Sequence, residues 1–84
     1  MFIVGDIGNT DTKICLVNSK KKIIRKINFS SKNITDNQLK KNFKILKLQN
    51  LNLKKCLLCS VVPKTFKIIE KYIKKNCKVK CFEL

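Results

Sequence analysis

Apolar residues change their spacing along this chain, and that change restricts the fold more than any other feature. Up to Phe29 they fall in short runs rich in β-branched and aromatic side chains: Phe2-Ile3-Val4, the alternating Lys13–Val17, and Ile23–Phe29. Runs of this length bounded by turn residues read as strands. Gly5-Asp6 closes the first, and Asn18-Ser19-Lys20 separates the second from the third. Gly8 and Asn9 both tolerate positive φ, so the first turn is expected there. In the third run Ile23, Arg25, Ile27 and Phe29 share one side, because strand side chains alternate. Three such segments in succession predict an antiparallel meander.

Beyond residue 34 the period lengthens. Thr35-Asp36-Asn37-Gln38 matches a capping box, in which the Thr35 oxygen and the Gln38 side chain satisfy free amides at a helix start. At 100° per residue, Leu39, Phe43 and Leu46 then fall together, with Lys40, Lys44 and Lys47 on another face. Asn50 and Asn52 mark a break. Lys55–Val62 is the most apolar strand-length run, which makes it the expected central strand. Pro63 ends it and can open the next helix. Across Lys64–Asn76 a stripe of Phe66, Ile69 and Ile73 is widened by Ile68 and Tyr72, opposite Lys64, Lys67, Lys71, Lys74 and Lys75. A calmodulin target or a membrane-surface helix has this pattern too, but a core-facing helix with a solvated lysine face is the simpler account. Lys78–Phe82 reads as a last strand. The order is β-β-β-α-β-α-β. Helical crossovers make parallel pairs of right-handed sense. The expectation is an α/β fold, one domain over residues 1–84, with a mixed five-strand sheet and helices packed on it.

A chain of 84 residues buries only about 60–65% of its unfolded surface, so its stability is expected to be marginal. Its 44% hydrophobic content is still enough for a core. The net charge of +15 is extreme and suggests a polyanion, which makes a small Lys-rich nucleic-acid-binding protein one reading. Three features weigh against it. Arg25 is the only arginine, whereas base readers favour the arginine fork. Aromatic residues do not interleave with the basic ones as in a stacking platform. The abundance of Lys, Asn and Ile together matches A- and T-rich coding. No apolar run approaches the ~20 residues of a membrane span, and Asp6 interrupts the first apolar stretch where a signal peptide would continue. The cytoplasm is the expected compartment.

Five cysteines, an odd count without a secretory signal, argue against a disulfide scaffold. The spacing Cys56-x2-Cys59 before Cys77-x3-Cys81 faintly suggests zinc. However, Cys56 and Cys59 lie in one apolar strand, where residues three apart face opposite sides. Buried structural thiols are the better expectation.

The residues that carry chemistry are Asp6-Ile7-Gly8-Asn9-Thr10-Asp11-Thr12-Lys13. A carboxylate ends the first strand, a small-residue turn follows, and hydroxyls and a cation begin the second. Gly8 lets backbone amides approach oxyanions, and Asn9 and Thr10 add short polar groups. Asp6 repels phosphate but can hold Mg²⁺, directly or through water, and the metal bridges to phosphates. The same residues also suit an ordinary hairpin turn.

The loop, the meander and the helical crossovers together resemble the ribonuclease-H-like half-domain of the actin, heat-shock ATPase and sugar-kinase superfamily. Within it, Asp6–Lys13 resembles the first phosphate motif of type III pantothenate kinases, and Ser60-Val61-Val62-Pro63 resembles that family's Ser-Val-Val-Pro stretch. Gly5, where a larger apolar residue is usual, and Cys59, where a second Ser is common, depart from the pattern. The resemblance implies ATP-dependent phosphorylation of pantothenate, the first step toward coenzyme A, with ATP and Mg²⁺ at Asp6, Ile7, Gly8, Asn9, Thr10, Asp11, Thr12 and Lys13. It implies that the catalytic stretch, the pantothenate pocket and a monovalent-cation site lie in a second half-domain, with no catalytic residue in this chain. It also implies a homodimer, or a carboxy-terminal half as partner in a split enzyme. The 84 residues alone are then expected to lack turnover.

Overall fold

The computed structural model describes all residues from Met1 to Leu84. The elements follow the expected order: β1 (Phe2–Ile7), β2 (Asp11–Val17), β3 (Ile23–Ser30), α1 (Asp36–Leu46), β4 (Lys55–Ser60), α2 (Pro63–Cys77) and β5 (Cys81–Glu83). They form one five-stranded sheet in the order β3-β2-β1-β4-β5. β1–β2 and β2–β3 pair antiparallel, whereas β1–β4 and β4–β5, joined through helices, pair parallel. No helix is long and apolar enough to cross a membrane.

The centre of the sheet is β1, not β4. β4 takes an interior place, between β1 and the short edge strand β5. β1 and β4 are equally apolar, with four apolar residues of six in each, so apolarity does not decide which is central. Ile3, Gly5 and Ile7 are buried, as are Thr12, Ile14 and Leu16 of β2, Ile27 of β3, and Cys56 and Leu58 of β4. Leu39, Phe43 and Leu46 of α1 and Phe66, Ile69 and Ile73 of α2 join that core. The intervening strand residues face the other side, where Asp6, Lys13, Lys26 and Cys59 are exposed and Val4, Cys15 and Leu57 half-buried.

Helix α1 starts as its sequence requires. The Gln38 N–H donates to Thr35 Oγ1 at 3.2 Å, and the Thr35 N–H donates to Gln38 Oε1 at 3.3 Å. Its end is bound from the sheet, where Arg25 Nη1 donates to the Leu46 carbonyl at 3.3 Å. Pro63 occupies the first turn of α2, where a missing N–H costs nothing. The Phe43 and Tyr72 rings join the helices with centroids 5.0 Å apart, tilted by 54°.

Three local expectations fail. Ile23 does not share the buried side of β3, because a register shift at Leu16/Val17 pairs it with Val17 on the uncovered face. The last strand begins at Cys81 rather than Lys78: Lys78 turns the chain out of α2 at φ 53°, and Val79 is buried in the connection. Of the cysteines only Cys56 is buried; Cys59 is exposed and Cys15, Cys77 and Cys81 are half-buried.

Gly5 is a packing device. A Cβ built there would stand 2.6 Å from Leu58 Cδ2, so the fully buried Leu58 already fills the space a side chain would take. Gly5→Ala is expected to cost about 1–2 kcal/mol through overpacking. In a Leu58→Ala background, where room exists, the same change should become neutral or stabilising. Urea unfolding of the double-mutant cycle checks this, and strictly additive effects would contradict it.

Candidate phosphate-binding site

The turn between β1 and β2 follows from the strand register. Ile7 pairs with Thr12, so Asn9 and Thr10 form the tip, closed by the Gly8 N–H donating to the Asp11 carbonyl at 2.9 Å. The turn forms where Gly8 and Asn9 suggest it, although neither residue has a positive φ. Gly8 serves by close approach instead: a Cβ there would lie 3.1 Å from the Asp11 carbonyl oxygen that its own N–H contacts. The turn is braced from outside. The Ser31 N–H donates to the Thr10 carbonyl at 2.8 Å, and Thr12 Oγ1 shares a buried 2.8 Å hydrogen bond with Ser31 Oγ.

A second turn abuts the first. The Val61 N–H donates to the Ile7 carbonyl at 3.1 Å, which ties the β4–α2 junction to the end of β1. Ser60 Oγ accepts from the Val62 N–H and donates to the Val62 carbonyl, both at 3.0 Å, folding Ser60-Val61-Val62-Pro63 into a tight turn. Both motifs therefore meet at one edge of the sheet.

The proposed ligand residues divide by strand parity. Asp6, Asn9, Thr10, Asp11 and Lys13 are exposed and Gly8 is half-buried. Asp6 lies opposite Lys13 on one side and Cys59 on the other, on the uncovered face. Ile7 and Thr12 point into the core, each fully buried. Their side chains hold the loop in place, and the Thr12 hydroxyl is already committed to Ser31. Ser31 is the residue the motif does not reveal: it stands nineteen positions from Thr12 and nothing in its neighbourhood marks it. The N–H groups of Asn9 and Thr10 donate to no atom of the chain. Two N–H groups in a tight turn are thus left without a protein partner beside an exposed carboxylate at a strand end; amides so placed can receive an anion, and a carboxylate can ligate a hard cation. Recesses in the surface lie along α1, α2 and β5.

The model of the type III pantothenate kinase family matches residues 2–84. The chain belongs to the type III pantothenate kinase family. It is 52% identical over all 84 residues to a protein of Pelagibacter ubique (strain HTCC1062) named type III pantothenate kinase, and it spans 34% of that relative's length. The match covers both turns, and the first is held by hydrogen bonds from Ser31 and Val61 as well as from its own hairpin.

The Thr12–Ser31 pair predicts a stability signature. Thr12→Val leaves the Ser31 hydroxyl buried without a partner and should cost about 1–3 kcal/mol. Thr12→Val with Ser31→Ala removes both partners and should recover most of that loss. Denaturant midpoints of the two variants check this.

Proposed function

We propose that this chain is the phosphate-binding part of an ATP-dependent kinase that phosphorylates pantothenate, opening the route to coenzyme A. The observation that carries the reading is the pair of unpartnered Asn9 and Thr10 amides beside the exposed Asp6 carboxylate. The amides receive phosphate oxygens, and Gly8 keeps the turn narrow enough for them to converge. Lys13, one strand over from Asp6, adds a positive charge at the same edge. Phosphoryl transfer depends mainly on positioning and charge stabilisation, which is what a rigid turn of this kind provides.

The donor set also fits Mg²⁺. That ion prefers hard oxygen ligands, keeps several waters, and needs only one or two carboxylates together with substrate phosphates. Asp6 is the residue that holds it, directly or through water, and Asp11 lies on the same face of β2 as Lys13. Bound Mg²⁺ supplies neutralisation of phosphate charge at this edge. Pantothenate, a monovalent cation and the catalytic base are assigned to residues outside these 84. The partner, whether a second copy in a homodimer or a carboxy-terminal half, would pack on the exposed side of the sheet and helices. The reading places the protein in the cytoplasm.

Asp6→Asn tests it. The side chain is exposed and bears no packing role, so the fold should survive. Affinity for ATP in the presence of Mg²⁺ should fall about tenfold or more, roughly 1.4 kcal/mol. Affinity for ATP in EDTA should change little. Equal Mg²⁺-ATP affinity in the two proteins would remove Asp6 from the metal site.

A further inference from the structure

The site just described makes no use of the three thiols gathered at the far side of the sheet. Cys56 of β4 and Cys81 of β5 are register partners on adjacent parallel strands. Both side chains point to the helix-covered face, where Cys77, the last residue of α2, also packs. Neighbouring strands run about 4.8 Å apart, inside the Cα separation of roughly 4.4–6.8 Å that a disulfide spans. The other two thiols are excluded by parity. Cys59 is exposed on the opposite face of β4, and Cys15 lies on that same face of β2, beyond β1.

We infer that Cys56 and Cys81 form a peroxide-oxidisable dithiol whose disulfide staples edge strand β5 to β4. Accessibility divides the labour between them. Cys81 is half-buried and lines a surface recess with Lys71, Lys74, Lys78 and Lys80, so a small oxidant reaches it. Cys56 is fully buried directly behind it. The electrostatics agree. The neighbouring Cys56 thiol lowers the pKa of Cys81, against burial and the Glu70 carboxylate, which raise it, while Cys81 and burial raise that of Cys56. Burial pushes Cys77 up to about 11, so Cys81 is the thiol most readily ionised; register, not acidity, makes Cys56 its partner.

The chemistry balances in two steps. The Cys81 thiolate attacks one oxygen of hydrogen peroxide; the O–O bond breaks, hydroxide leaves and is protonated to water, and Cys81 becomes a sulfenic acid. The Cys56 sulfur then attacks the Cys81 sulfur. The S–S bond forms, the S–O bond breaks, and hydroxide leaves as water with the Cys56 proton. Two thiols lose two electrons and the peroxide is reduced to two waters. The strand that the bond would hold has only three residues, tied to β4 by backbone bonds such as Leu84 N–H to the Leu58 carbonyl at 2.8 Å.

The test is hydrogen peroxide treatment of the 84-residue protein, followed by alkylation, intact mass and peptide mapping. The expected result is a monomer lighter by two hydrogens, a mapped Cys56–Cys81 link, alkylated Cys15, Cys59 and Cys77, and a melting temperature above that of the reduced protein. Dithiothreitol should reverse all of these. Cys81→Ser should abolish the link and Cys77→Ser should leave it. Cys81→Ser is preferred to Cys56→Ser, which would place a hydroxyl in the core. A link through Cys77, a purely intermolecular product, or an undiminished loss of two hydrogens in Cys81→Ser would overturn the inference.

Discussion

The two-residue alternation of β1 is the constraint on which the rest of the molecule depends. It sends Ile3, Gly5 and Ile7 into the core and Asp6 to the uncovered face. The same strand pairs antiparallel with β2 and parallel with β4, so it fixes where both neighbours end. The β1–β2 turn and the β4–α2 turn thereby come to one edge, joined through the Ile7 carbonyl. A one-residue slip in this strand would bury the carboxylate and expose the isoleucines. Core and candidate site are thus one decision about register.

Much of this architecture can be read from the chain because its signals are local. The reciprocal Thr35–Gln38 cap, the Phe66-Ile69-Ile73 stripe and the proline that opens α2 each depend on a few adjacent residues, and all appear as expected. The meander and the parallel crossovers follow from segment order. What escapes the sequence depends on long-range packing. The placement of β1 rather than β4 at the centre is set by pairing partners, not by apolarity. Val79 is buried in the connection before β5, where alternation suggested a strand.

The candidate site shows the same division. Asp6 and the unpartnered Asn9 and Thr10 amides are exposed at the end of β1 and in the turn after it. Thr12 does not face the ligand edge, although its parity with Ile14 and Leu16 already marked it as inward-facing. Gly8 is needed for its missing side chain, not for a left-handed backbone. Ser31 was invisible because its role exists only once β3 lies beside β2. The cysteine grouping is likewise a product of topology: Cys56 and Cys81 are remote in sequence and become neighbours only when β5 adds to β4.

The central claim is that the Asn9 and Thr10 amides receive nucleotide phosphate. Backbone amide NMR during titration with Mg²⁺-ATP measures it most directly. The account predicts saturable shifts concentrated at Gly8 through Lys13, with smaller ones at Val61 and Val62, and little change at the lysine face of α2. Shifts confined to the lysines of α2 and the β5 recess, with residues 8–13 unmoved, would contradict it and mark nonspecific attraction of ATP to a highly basic protein.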